Sequence, residues 1–176
     1  MHLLCYLKAT KEEGIYLSAG DFQIRTYTDA DWGGNLDTRR STSGILITLG
    51  DSVILWKSKG QKTVAHSTME AEFKALANGV SYSLWLEELL RELGSDKPGT
   101  NMFCDNQGCI LALNGKNYKG RSKHNEIHFH VVKERMESST ITVNYIQSEE
   151  NVADMLTKTL TKDKLQYLKQ KLNIGA

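Results

Sequence analysis

A single proline in 176 residues leaves no proline-rich linker, and no repeat or low-complexity segment offers another, so the chain reads as one folding unit with a short appendage. No apolar run is long enough to cross a bilayer, and the first residues lack the make-up of a signal peptide. Cysteine is scarce. Cys5, Cys104 and Cys109 are odd in number and have no metal-ligand spacing, which excludes a disulfide framework and suits buried thiols in a reducing compartment. Net charge is nearly absent at +1, so bulk electrostatics cannot carry nucleic-acid binding and any such surface must be local. What remains is 40% hydrophobic and 24% charged, the make-up of a soluble globular domain large enough to hold a core beneath a sheet.

Periodicity supplies the elements. Residues 22–28 alternate as a strand, and residues 44–49 and 53–56 flank Gly50-Asp51, a hairpin signal. Residues 63–65 read as an extension of that third strand. From 69 to 93 the apolar residues recur at helical spacing (Met69, Phe73, Leu76, Val80, Leu84, Leu86, Leu89, Leu93). A strand at 101–104, a helix at 107–113, a basic loop at 116–123, a helix at 125–137, a strand at 141–146 and two helical stretches at 152–160 and 164–172 follow. Three antiparallel strands and then alternating helix and strand predict a mixed five-stranded α/β sheet with helices packed on it. Residues 1–9 read as the end of an amphipathic helix stopped near Gly14, and we expect residues 1–20 to be the tail of an upstream domain and residues 21–176 the domain proper.

Four acids stand at strand or helix edges in the order Asp29, Glu70, Asp105, Asp154. Each has a local explanation: a turn before Gly33-Gly34, a capping box Ser67-x-x-Glu70, a cap for the helix after Asp105, and a second box-like Asn151-x-x-Asp154. Together they admit another. The element order brings the first strand, the long helix and the fourth strand to one end of the sheet. Hydrolysing a phosphodiester with Mg²⁺ requires hard oxygen ligands gathered from distant segments.

The strings Thr28-Asp29-Ala30-Asp31-Trp32-Gly33-Gly34, Arg39-Arg40-Ser41-Thr42-Ser43-Gly44, His66-Ser67-Thr68-Met69-Glu70-Ala71-Glu72, Cys104-Asp105-Asn106-Gln107, Lys123-His124 and Val152-Ala153-Asp154-Met155-Leu156-Thr157-Lys158 resemble the ribonuclease H domain of copia-class LTR retrotransposon polyproteins. Leu4-Cys5-Tyr6-Leu7-Lys8-Ala9-Thr10 resembles the end of the reverse transcriptase connection that precedes it. The resemblance implies an RNase H-like fold that hydrolyses the RNA strand of RNA–DNA hybrids during reverse transcription. It implies two Mg²⁺ ions, with Mn²⁺ able to substitute, on Asp29, Glu70, Asp105 and Asp154; Asp31 and Glu72 then have structural roles. It further implies an attached reverse transcriptase domain as partner, no membrane association, and a cytoplasmic location within virus-like particles.

Cellular members of that family carry a histidine in the loop after the last strand, where this chain has Gln147-Ser148-Glu149-Glu150. His124 is the expected substitute, since an imidazole titrates near neutral pH. His124 and His128 are spaced i, i+4, as a zinc pair would be, but no third ligand accompanies them. A hybrid is read by shape, phosphates and 2′-hydroxyls; Gln107, Ser67, Thr68, Arg40, Lys119 and Arg121 are the expected contacts, beside capping or solvated-surface roles for the same residues. Trp32 and Trp56 are expected to pack rather than stack on bases. Two other functions fit the fold: a catalytically silent domain that grips hybrid for a polymerase, and DNA strand transfer, whose Asp, Asp, Glu order this chain does not follow.

Overall fold

A computed structural model describes residues 2–18, 20–95, 99–115 and 123–175, without the side chains of His2 and of residues 123–126. Its sheet begins with the strands β2 (Ile24–Asp31), β3 (Thr42–Leu49) and β4 (Ser52–Gly60), paired antiparallel. β1 (Gly14–Ile15) precedes them. Gly50 makes the turn between β3 and β4 with a positive φ of 56°, a conformation glycine adopts without steric cost. β5 (Thr100–Cys104) then joins β2 in parallel, and β6 (Ile141–Tyr145) joins β5 in parallel, giving the order β4-β3-β2-β5-β6. Parallel pairing requires crossovers. The first is the 25-residue helix α2 (Thr68–Glu92). The second comprises α3 (Gln107–Asn114) and α4 (Lys123–Glu137). The short N-terminal helix is α1 (His2–Ala9).

α2 lies across one face of the sheet. Phe73, Leu76 and Val80 of its apolar stripe are buried against Met102 and Cys104 of β5, and Phe129 and Val132 of α4 close the same core. Gly79 sets how closely the helix approaches, because a Cβ there would come within 2.9 Å of both Met102 Cε and Thr28 Cγ2. On the opposite face, Leu46 and Val53 pack under Val152, Leu168 and Leu172, the last two from α5 (Lys162–Lys171) and the residue that ends it. Alternation within β3 therefore sends Ile45 and Ile47 toward α2 and Leu46 toward α5.

Several expectations shift. Residues 63–65 do not extend the third strand: β4 ends at Gly60, and this loop instead offers the Ala65 carbonyl to the indole of half-exposed Trp32 (2.9 Å). The first C-terminal helical stretch is a short 3₁₀ helix, Val152–Leu156. Cys5 is exposed, whereas Cys104 and Cys109 are buried thiols. Trp56 is 57% exposed on the edge strand. A two-stranded ribbon of β1 with β7 (Ile174–Gly175) joins residues distant in sequence, and the buried Lys169 ammonium pairs with Glu13 beside it. No local pattern announces such pairing. Among the described residues no helix is long and apolar enough to cross a membrane.

Candidate active site

Asp29 is the sixth of eight residues in β2 and only 1% exposed. Asp105 follows the last residue of β5, and Asp154 sits in the buried 3₁₀ helix. One carboxylate oxygen from each lies within 4.8 Å of the others. The parallel pairing of β2 with β5 brings the first two strand ends together. Asn151 delivers the third acid: its Oδ1 accepts from Ala153 N–H at 3.2 Å, and its Nδ2 donates to the Thr28 carbonyl of β2 at 3.0 Å. The N-cap of α3 is Asn106, which accepts from Cys109 N–H at 3.0 Å. Asp105 is thereby relieved of capping and accepts from Ser148 Oγ at 2.7 Å. Ser148 belongs to the short 3₁₀ helix, Ser148–Glu150, that follows β6.

Glu70 is not brought into this group. Its carboxylate pairs with Lys74 Nζ at 2.9 Å and accepts His66 N–H at 2.8 Å, which ties the helix start to the preceding loop. The side chain that joins the acids is Glu72, 5% exposed, grouped with Asp105 and Cys104 and 3.9 Å from Cys104 Sγ. Its carboxyl is pushed up to about 10, first by burial, then by the Cys104 thiol and the carboxylates of Asp29 and Asp105; a hydrogen bond from Ala30 N–H opposes the shift. Three of the four expected acids thus come together, and Glu72 rather than Glu70 lies beside them, sharing Asp105 with a second group. Residues two apart on a helix do not share a face, so only one of this pair can reach the aspartates. Asp31 is in neither acidic group.

A cation already sits among these acids. Lys158 Nζ is 2.8 Å from Asp154 Oδ1 and 3.1 Å from Asp29 Oδ1, while Thr157 Oγ1 donates to the other oxygen of Asp29. Burial pulls the Lys158 ammonium down, but the Asp154 hydrogen bond and the Asp29 charge outweigh it and the net shift is upward. Burial raises the Asp154 carboxyl, with the Lys158 hydrogen bond opposing. Neither Lys158 nor Asn151 stood out in the sequence reading as a site residue; the i, i+4 spacing of Asp154 and Lys158 was the available signal.

Gly44 makes the close approach of this segment possible. It pairs with Asp29 in the β2–β3 register, and a Cβ at Gly44 would meet Thr157 Cγ2 at 2.8 Å and the Ala153 carbonyl at 2.9 Å. We expect Gly44→Ala to push residues 153–157 off the sheet and cost about 1–3 kcal/mol, as overpacking does. Melting of the variant checks the stability loss, and a wild-type melting curve would show that the segment yields freely.

The other expected residues scatter. Ser67 caps α2 by accepting Glu70 N–H at 3.1 Å. Ser67, Thr68, Gln107 and Arg40 are all exposed, and none bonds to the acidic cluster. Lys119 and Arg121 lie outside the described residues. His124 falls in the first turn of α4, and its side chain is likewise outside them.

The donor set suits hard divalent ions. It is all carboxylate oxygen apart from the neighbouring thiol, it is crowded enough to repel itself, and it draws in an ammonium. No family model matches the chain. It is 35% identical over 168 residues to the retrovirus-related Pol polyprotein from transposon TNT 1-94 of Nicotiana tabacum, a match covering 96% of this chain and 13% of that protein. It is 34% identical over 175 residues to the corresponding polyprotein from transposon RE1 of Arabidopsis thaliana, covering 98% of this chain and 12% of that one. The chain therefore spans about an eighth of the length of these relatives. Among solved structures it is similar to LC11-RNase H1 isolated from compost, with a TM-score of 0.60 at 20% identity over 77% of this chain and 93% of that one. It is also similar to a foamy viral protease-reverse transcriptase in complex with RNA/DNA hybrid, with a TM-score of 0.55 at 12% identity over 81% of this chain and 20% of that one. By its sequence the chain belongs to the Pol polyproteins of copia-type retrotransposons, and it is a segment of them with the RNase H fold.

Proposed function

We propose that this chain is a metal-dependent endonuclease that hydrolyses the RNA strand of RNA–DNA hybrids during retrotransposon reverse transcription. The observation that carries the reading is the convergence of Asp29, Asp105 and Asp154, with Glu72 beside them, at one end of the sheet. The likeness to LC11-RNase H1, which has been solved in complex with RNA/DNA hybrid, supports the substrate. Asp29, Glu72, Asp105 and Asp154 would hold the ions, two Mg²⁺ with Mn²⁺ as substitute. When bound, such ions supply an activated water and stabilise charge on the phosphate.

The chain's own groups position and protect. Asn151 holds the Asp154 segment against β2, Ser148 orients Asp105, and Ala30 N–H fixes the Glu72 carboxylate. Burial of Asp29, Glu72 and Asp154 excludes water from one side of the cluster, while the partly exposed Asp105 leaves it open on the other. The reading also places the domain next to a reverse transcriptase in one polyprotein, within cytoplasmic virus-like particles. Residues 1–20 are then a connecting segment anchored through β1 and β7, and residues 21–176 the nuclease domain.

The test compares an RNA–DNA hybrid with double-stranded DNA, with and without Mg²⁺. We expect cleavage of the RNA strand alone, dependent on metal, and reduced to background by Asp29→Asn or Asp105→Asn, since an amide is a far weaker ligand for a hard cation. Hybrid bound but left intact by the wild-type protein with Mg²⁺ would reject the nuclease and leave a silent hybrid-binding domain.

A further inference from the structure

A groove of about 390 Å³ runs between α2 and the β3–β4 edge of the sheet, on the face opposite α5. Lys57 and Lys59 of β4, Lys62 of the following loop and Lys74 of α2 line it, with His128 of α4 beside them, and none of the described residues that line it is an acid. The chain as a whole carries only +1, so four lysines in one concavity leave the remainder net acidic; general basicity does not explain the groove. Lys74 is occupied by Glu70 and by Thr63 Oγ1 at 3.1 Å. Lys57 is held in place, 2.5 Å from the Tyr82 hydroxyl and over the Tyr82 ring at 4.8 Å. Lys59 and Lys62 are exposed and make no ion pair among the described residues. The groove starts at the same end of the sheet as the acidic cluster, on the other flank of α2: Ser43 on its wall pairs with Ala30, the residue after Asp29, in the β2–β3 register, and Gln61 beside it donates to the Ala71 carbonyl at 2.9 Å.

We propose that this groove is a phosphate-binding subsite that holds the backbone of the polynucleotide a few nucleotides from the acidic cluster; the inference rests on the nuclease reading above. Two exposed ammonium groups next to two tethered ones suit a chain of phosphates, which needs point charges rather than planar forks. Ordering Lys57 in advance lowers the entropy cost of contact. The competing role is edge protection, because β4 ends the sheet and lysines on edge strands discourage pairing between molecules.

The test measures hybrid binding at a series of salt concentrations for the wild-type chain and for K59Q/K62Q, with K8Q/K11Q on the N-terminal segment removing equal charge elsewhere. We expect K59Q/K62Q to lower the log–log salt slope by about two units and to weaken binding roughly tenfold or more at low salt, as two lost phosphate contacts should. K8Q/K11Q should leave both the slope and the cleavage rate unchanged. A wild-type slope retained in K59Q/K62Q, with cleavage intact, overturns the groove alone and leaves the nuclease standing. Aggregation of K59Q/K62Q with an unaltered slope assigns the lysines to edge protection and overturns it as well. A loss confined to binding of polyglutamate would mark the groove as a protein site and overturn it. Absence of any hybrid binding by the wild type removes both this proposal and the reading beneath it.

Discussion

Glu72→Gln should abolish Mg²⁺-dependent cleavage while leaving the metal-free protein as stable as the wild type or more so, and Glu70→Gln should do the reverse. The Glu72 carboxyl is buried among like charges and pushed up to about 10, so the folded chain holds a proton that the unfolded chain would release. The sign follows from linkage. A group whose folded pKa lies above its unfolded value near 4.5 favours the folded state at low pH, and that contribution fades as pH rises from there through about 10. An amide carries no such dependence, so the variant should lose this part of the pH profile between those limits. A divalent ion inverts the preference by favouring the carboxylate. Mg²⁺ should therefore raise the melting temperature of the wild type and not that of Glu72→Gln. Glu70 contributes differently, through an ion pair with Lys74 in which both side chains are less than a tenth exposed. Glu70→Gln leaves that lysine uncompensated and should cost about 3–5 kcal/mol, with cleavage retained below the melting range. Melting curves and a cleavage assay on both variants decide the matter; an inactive Glu70→Gln beside an active Glu72→Gln would reverse the assignment.

Lys158→Gln should destabilise the metal-free protein and tighten its grip on Mg²⁺. The ammonium bridges Asp29 and Asp154, so removing it leaves two buried carboxylates facing each other. The Lys158 side chain is 38% exposed, which moderates the loss to about 1–3 kcal/mol rather than the larger cost of breaking a fully buried pair. An ion entering the cluster competes with that ammonium for the same oxygens, so a neutral residue should lower the Mg²⁺ concentration needed to reach half of the full thermal shift. At saturating Mg²⁺ the melting temperatures of variant and wild type should converge. Calorimetric titration of the metal and melting along a Mg²⁺ series are the measurements. An unchanged metal-free melting temperature together with an unchanged Mg²⁺ midpoint would show that Lys158 is not the resident counter-ion.

Much of this molecule is written in local patterns. The β3–β4 turn follows from Gly50-Asp51, the body of α2 from its apolar spacing, and the mixed sheet from the order of strands and helices. Asp29, Asp105 and Asp154 stood out because the sequence pattern set each at an expected element edge; in the structure only Asp105 directly follows a strand, whereas Asp29 is the sixth of eight residues in β2 and Asp154 the third of five in its 3₁₀ helix. The choice between Glu70 and Glu72 was not legible, for a geometric reason. At about 100° per residue, the two glutamates flank the buried stripe of Phe73, Leu76 and Val80 on opposite sides, so the stripe itself does not choose between them. The order of the strands chooses: β5 lies on one side of β2 and β3 on the other, so one flank of α2 meets Cys104 and Asp105 while the other meets the lysine groove. Asn151 bonding to Thr28 across 123 residues, Gly44 admitting the 153–157 segment, and lysines from β4 and α2 lining one groove are decided in the same way. Local sequence sets which residues form each element and which face is apolar. Which polar residues on either side of that face meet is settled only when the packed sheet fixes the neighbours.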